Sequence, residues 1–246
     1  MNPKLTRVLT ALAFLLTTFF TAQATQYRTV QSGNYSSTAT WNNGVVPPTV
    51  LGADDTVWFY GPNALSIVMD RDIVMSSSTC AVYIFNNITI TESGKHFIAV
   101  QNGAFIQDGG SFITIDSFYL SGNAAAPTNT SGNNTFNKLT LSAATYKRSL
   151  GSRLNVNDLL HLKDGVCSSL YQIVMAPFCT IYFSDGGGLS GSNAVYLANP
   201  YNLKYANVNT APIGNKFEEL SGSGTTLHGI EIDGNVILHP PTQILK

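Results

Sequence analysis

The chain has 246 residues, 44% of them hydrophobic and only 11% charged, with a formal net charge of −1. Globular chains average about 25% charged residues, so Ser, Thr, Asn and Gly must supply much of the surface here. This composition excludes a disordered chain, which needs low hydrophobicity and high net charge, and it offers no basic face for nucleic acid.

Residues 1–24 read as a signal peptide, helical while it lasts. Lys4 and Arg7 give a positive start, Leu9 to Phe20 an apolar stretch, and Ala22-Gln23-Ala24 a small-x-small cleavage site. The apolar run is shorter than the ~20 residues of a membrane span, and no second run of spanning length follows. The expected location is secreted or cell-surface, by the Sec route, with no membrane span after cleavage.

Residues 25–64 alternate aromatics with turn residues, as in Thr40-Trp41-Asn42-Asn43-Gly44 and Gly52-Ala53-Asp54-Asp55. They read as an N-terminal capping region. From 65 to 246 short runs rich in Ile, Val, Phe, Tyr and Thr are separated by Gly, Asn and Ser, the pattern of strands and turns. Residues 121–135 form a polar loop. No stretch after the leader shows a helical period.

Phe85-Asn86-Asn87-Ile88-Thr89-Ile90 is echoed by Phe136-Asn137-Lys138-Leu139-Thr140-Leu141. The spacing suggests two coils of a repeat of ~20–27 residues. Asn and Gly recur where corners need left-handed backbone. A β-sandwich would show longer strands in tight hairpins, and only Asn102-Gly103 and Asp233-Gly234 look like two-residue hairpin turns. The fold class expected is all-β, a right-handed parallel β-helix (solenoid) with an N-terminal cap.

Ser32-Gly33-Asn34-Tyr35-Ser36, Ala39-Thr40-Trp41, Gly44 to Pro48 and Asp54-Asp55-Thr56-Val57 resemble the N-terminal module of secreted parallel β-helix repeat proteins of gliding-type Gram-negative bacteria. Phe136–Leu141, Leu154-Asn155-Val156, Leu160-His161-Leu162, Tyr201–Tyr205, Glu219-Leu220 and Ile230-Glu231-Ile232 resemble the coils of the same group. The resemblance implies an exported surface protein, often delivered by type IX secretion. Such proteins usually carry more coils and a C-terminal sorting domain. This chain ends at Pro240–Lys246, so a short member and a truncated piece both remain open.

Five groups could carry chemistry. Asp54-Asp55 could bind Ca²⁺ or act as an acid/base pair, but neighbours on a strand point apart, and a turn explains them equally. Asp70-Arg71-Asp72 would place two carboxylates on one strand face, the weak catalytic candidate, against a surface turn with an ion pair worth ~0–1 kcal/mol. Lys147-Arg148 with Arg153 is a local basic group, readable as a solvated corner. His96, His161, His228 and His239 are scattered, with no acid, Ser or Cys at a catalytic spacing; His161, between Leu160 and Leu162, should point outward. Asp185-Gly186-Gly187-Gly188 opens no helix and reads as a loop, not a phosphate site. Asn34, Asn87, Asn129 and Asn133 sit in sequons that serve as polar corners.

Cys167 and Cys179 could form a disulfide across adjacent segments; alternatively these two and Cys80 are buried apolar residues. No metal site and no cofactor are expected. The many Tyr and Phe residues could stack on sugar rings or fill the core. Three functions follow: an exported non-enzymatic β-helix scaffold at the cell surface, in adhesion or contact with surface or extracellular polysaccharide; a polysaccharide lyase or glycoside hydrolase of the β-helix type; or a fragment of a longer adhesin. A flat Thr/Asn/Tyr face without an acid cluster would favour binding.

Overall fold

The alternation in the sequence is the inside–outside pattern of short strands laid one above another. In this computed structural model the residues described are 25–121, 128–130, 132–142, 153–164, 166–168, 173–190, 195–197, 200–206 and 227–233. The signal peptide, Lys147, Arg148 and His239 lie outside them.

The first coil holds β1 (Gln26–Arg28), β2 (Gly33–Asn34) and β3 (Val50–Leu51), with a single 3-10 turn at Thr38–Thr40. The second holds β4 (Thr56–Phe59), β5 (Leu65–Met69) and β6 (Ile73–Met75), and the third β7 (Ala81–Ile84), β8 (Ile88–Glu92) and β9 (Phe97–Val100). Then two faces fuse into single long strands: β10 (Ala104–Gln107) leads to β11 (Phe112–Leu120), β12 (Thr128–Thr130) to β13 (Asn133–Ser142), and β14 (Leu154–Lys163) follows. Separate faces return in β15 (Val166–Ser168), β16 (Ile173–Met175) and β17 (Thr180–Ser184), and in β18 (Gly188–Ser190), β19 (Val195–Leu197) and β20 (Tyr201–Ala206). Last comes β21 (Leu227–Asp233).

Every pairing between these strands is parallel. Parallel neighbours need a long crossover; here the other faces of the coil are the crossover. The chain is a parallel β-solenoid. The first face runs β1-β4-β7-β10-β12, with β15-β18 in the corresponding place of later coils. The second runs β2-β5-β8-β11-β13-β14-β16-β19, and the third β3-β6-β9-β11-β13-β14-β17-β20-β21.

Register stacks like on like. On the third face Ile73, Ile98, Phe118, Leu139, Leu160, Ile181 and Leu203 form one buried column. On the second, Ile67, Ile90 and Ile113 lie below Asn134, Leu154 and Ile173. Tyr35 and Trp41 cover the bottom of the stack: their rings meet edge to face at 5.2 Å, and both lie against Phe59. The Trp41 Nε1–H donates to the Tyr35 carbonyl at 2.8 Å. The 25–64 stretch therefore supplies strands to the parallel stack as well as this aromatic lid. At the other end the third-face columns reach the surface, with Ile230 55% and Ile232 49% exposed.

Three sequence expectations change. The polar stretch 121–135 is not loop throughout, since Thr128–Thr130 is β12 and Asn133 opens β13. The Phe85–Ile90 and Phe136–Leu141 strings do not lie in register. Ile88–Ile90 belongs to the second face in β8 and Leu139–Leu141 to the third face in β13; the true partner of Ile90 is Ile113. Any corner followed by an alternating strand makes the same string. Asn102-Gly103 is no hairpin turn either. It is a corner between β9 and β10, which belong to different faces. Gly103 has φ +75, and a Cβ there would sit 2.6 Å from the Cys80 carbonyl oxygen. The same left-handed corner geometry occurs at Asn87, φ 65.

A pair of buried amides interrupts the apolar interior. The Gln107 and Asn134 side-chain amides, both fully buried, exchange two hydrogen bonds of 2.9 and 2.8 Å. They tie the first face of one coil to the second face of the next. Asn134→Ala removes the buried amide opposite Gln107 and is expected to cost about 1–3 kcal/mol in urea denaturation. The double change Gln107→Leu with Asn134→Leu should recover much of that loss. A single variant as stable as wild type would show that the pair does not tie the coils.

Candidate functional site

The three outer surfaces differ, and the difference follows from which residues occupy the outward alternate positions. On the first face Trp58 lies flat on Tyr83 (4.5 Å, 20°) and on Phe85 (5.5 Å, 15°), with the Arg28 guanidinium 6.0 Å from the Trp58 ring and 5.3 Å from Tyr60. Trp58, Tyr83 and Phe85 are half-buried and cover one another's faces, while Tyr60 is 42% exposed with its ring edge to face with Phe85 at 5.2 Å. The three stacked rings run coil on coil and leave little flat surface between them for a sugar. The third face carries His161 flat on Tyr182 (4.3 Å, 16°), and Lys204, 5.5 Å above Tyr182, paired with Glu231 at 2.7 Å.

The outer surface of the second face is uncharged at the outward positions from Ser66 to Thr135, with exposed Arg153, just before Leu154, next in line above Asn133. One column runs Ser66, Thr89, Phe112 and Asn133. The next starts with Val68 beside Thr91 and continues as Thr114, Thr135, Asn155 and Val174. Phe112 is 47% exposed, and no ring stacks on it among the described contacts. It is an open aromatic surface surrounded by hydroxyls and amides, with the strands beneath it about 4.8 Å apart. The backbone is fixed by ladder hydrogen bonds, so the array is preformed.

The corner between the second and third faces takes up the acidic candidates. Asp70-Arg71-Asp72 is not on a strand; it is the bend between β5 and β6, and its carboxylates diverge. Asp70 reaches down one coil, where the Ser36 N–H (2.9 Å) and hydroxyl donate to it. Partial desolvation pushes the Asp70 carboxyl up, but the Ser36 hydrogen bonds, the local backbone and the Arg71 charge outweigh it and hold it below the usual carboxylate range. Asp72 reaches up one coil, accepting the Phe97 N–H at 3.1 Å and lying 3.3 Å from His96 Nδ1. Higher on the corner Asp116 accepts the Ser117 hydroxyl (2.8 Å) and the Asn137 amide (3.2 Å), and Asn157 donates on to Asn137. Desolvation raises the Asp116 carboxyl; the Ser117 and Asn137 hydrogen bonds, with Lys138 and Lys95, bring it down past its ordinary value.

Asp54 and Asp55 form a turn. Asp54 is exposed with φ 63, and Asp55 accepts the N–H of Gly52 at 2.8 Å and of Thr25 at 3.3 Å. They do not converge, and among the described residues no three His, Cys, Asp or Glu side chains are placed to hold a metal. Asp185-Gly186 turns with positive φ into β18, not into a helix. Cys80 and Cys179 are buried free thiols. The Cys179 Sγ–H donates to the Val156 carbonyl at 3.2 Å, and burial pushes the thiol up to about 11. The Cys167 side chain lies outside the described residues, and Cys179 is not half of a disulfide with it.

Three histidines have partners that the sequence hid, and the exposed His228 places its Nδ1 3.1 Å from the Asn202 Oδ1. Besides Asp72 with His96, the Ser184 hydroxyl lies 2.8 Å from His161 Nε2, 23 positions along the chain and one coil up. His161 points outward but is half-buried; desolvation and Lys163 lower its pKa against the opposing pull of Asp185 and Asp164. The spacing suits a nucleophile and its base, but Ser184 is only 4% exposed, so the contact acts as a tie between coils. Comparison with protein-family models, with curated proteins and with solved structures gave no match.

The depressed carboxyls set a sign for acid stability. Asp70 and Asp116 stabilise the fold fully above the ordinary carboxylate value of 3.8, and this contribution is lost as pH falls through their lower folded values. Asp70→Asn and Asp116→Asn should each lower stability at neutral pH and flatten its decline between neutral and acid pH in chemical denaturation. Unchanged pH profiles would show that these carboxylates do not hold the corner.

Proposed function

We propose that the chain is an exported, non-enzymatic β-solenoid scaffold of the cell surface that contacts glycan through the outer surface of its second face. The observation that carries this reading is Phe112, open to solvent among Thr, Asn and Ser, with Arg153 at the upper end of its column. Carbohydrate sites pair an aromatic surface with a few fixed polar groups, and a regular strand array offers both without a cleft. Export and surface location rest on the leader-like residues 1–24 and on the resemblance to secreted β-helix proteins of gliding-type bacteria. The adhesin-fragment reading fits the same scaffold, with the exposed Ile230 and Ile232 as its support.

The lyase or hydrolase reading has less support. Its carboxylates, Asp70 and Asp72, point to different coils and are engaged by Ser36, Phe97 and His96. A glycan array probed with the full chain should give sugar binding without depolymerisation. Phe112→Ala should weaken that binding about tenfold or more while leaving urea stability within ~0.5 kcal/mol, as expected for an exposed side chain. Depolymerisation of an acidic polysaccharide that is lost in Asp70→Asn or Asp72→Asn would replace this reading with the enzymatic one.

A further inference from the structure

We propose that the outer edge of β21 takes a strand of another protein, an extended segment in which apolar residues alternate with Lys or Arg. This stands apart from the glycan reading, which concerns the second face. Among the described strands β21 is paired on one side only, with β20. A strand edge of this kind offers its backbone donors and acceptors to any extended chain laid beside it. The inward positions call for apolar residues. Ile230 stands on Leu203 and Ile232 on Tyr205. The lower member of each pair is buried, whereas Ile230 and Ile232 are the two large apolar side chains left open at the top of their columns. Head to tail, a second copy would present its first coil, where Tyr35 and Trp41 are already buried.

The outward positions select the charge of the incoming strand. One column runs His161, Tyr182, Lys204 and Glu231. In it the Lys204 ammonium lies 5.5 Å from the Tyr182 ring below and 2.7 Å from the Glu231 carboxylate above. In the neighbouring column Ala206 lies beneath Asp233. The last outward positions therefore hold two carboxylates, with one lysine a coil beneath them, and the Glu231 side chain is still 65% exposed. Adjacent strands stand about 4.8 Å apart, a distance at which opposite charges attract across the pair and like charges repel. Lys or Arg in the incoming strand would sit over Glu231 and Asp233. The same repulsion disfavours a second copy laid edge to edge, since each copy would bring both acids to the seam. Residues 234–246 carry their apolar run, Val236-Ile237-Leu238, without a cation, and so supply no charge to face Glu231.

The test is fluorescence anisotropy of the full chain with labelled peptides of the length of β21, in which Val alternates with Lys or with Glu. The Val/Lys peptide should bind about tenfold or more tighter than the Val/Glu peptide at ~0.05 M salt, and the gap should narrow by ~0.5 M as the charges are screened. Glu231→Lys should reverse the order of the two. Ile230→Thr, which keeps a β-branched residue in the strand, should weaken binding of the Val/Lys peptide about fivefold or more through lost apolar contact. N-methylation of one alternate set of peptide amides should abolish binding and of the other set leave it, as a backbone ladder requires and apolar adhesion does not. Equal affinity for the two peptides, or N-methylation without effect, would overturn the inference. Failure of the full chain to bind either peptide would also overturn it, and recovery of binding in Ile237→Pro would then assign the edge to residues 234–246. Concentration-dependent dimerisation lost in Ile230→Thr would overturn it in favour of a second copy.

Discussion

The fold rests on one constraint: each coil must present to the next both a complete row of backbone donors and acceptors and an inward set of side chains that match in position. A parallel ladder satisfies the first demand, since every strand hydrogen-bonds to the coil below and the coil above. The second is met by columns such as Ile73, Ile98, Phe118 and Leu139, in which each side chain stands on its equivalent. Where one demand is broken, another group compensates. Asn134 enters the second-face column of Ile67, Ile90 and Ile113, and Gln107 supplies the amide that it would otherwise lack.

Function follows from what this constraint leaves free. Inward positions are committed to the column and corners to chain reversal. Only the outward alternate positions can vary without cost to the stack, and each face uses them differently. The first face stacks Trp58, Tyr83 and Phe85 on one another, the third pairs Lys204 with Glu231, and the second leaves Phe112 open among Ser, Thr and Asn. The acidic residues that could have been a catalytic cluster are instead the corner's fasteners: Asp70 ties downward to Ser36, Asp72 upward to His96 and Phe97, and Asp116 sideways and upward to Ser117 and Asn137.

Much of the fold was legible because strand alternation is local. Ile88-Thr89-Ile90 and Leu160-His161-Leu162 declare their inward and outward residues by themselves, and the turn residues between such runs mark the corners. Register was not legible, because coils differ in length: Tyr27 pairs with Val57, Val57 with Val82, and Leu139 with Leu160. The Phe-Asn-x-apolar-Thr-apolar strings at 85–90 and 136–141 therefore fall on two different faces. The same ignorance of register hid Ser184 from His161 and Asp72 from His96, and placed Asp70-Arg71-Asp72 on a strand when it turns a corner. Phe112 did leave a signal. In Phe112-Ile113-Thr114-Ile115 the phase that buries both isoleucines sends Phe112 out with Thr114, but its value as an open ring depended on the neighbouring coils, Thr89 below and Asn133 above.

The aromatic lid of Tyr35 and Trp41 at one end, set against the exposed Ile230 and Ile232 at the other, gives the molecule a mechanical polarity. Tension on a stack of this kind is borne by ladder bonds directed along its axis, and such a stack fails by peeling rather than by sliding. Peeling begins where a coil is held from one side only. Among the described strands β1 and β21 are each paired on one side only, and of the two only the β1 end has stacked rings over its column, so a pull along the axis would load them unequally.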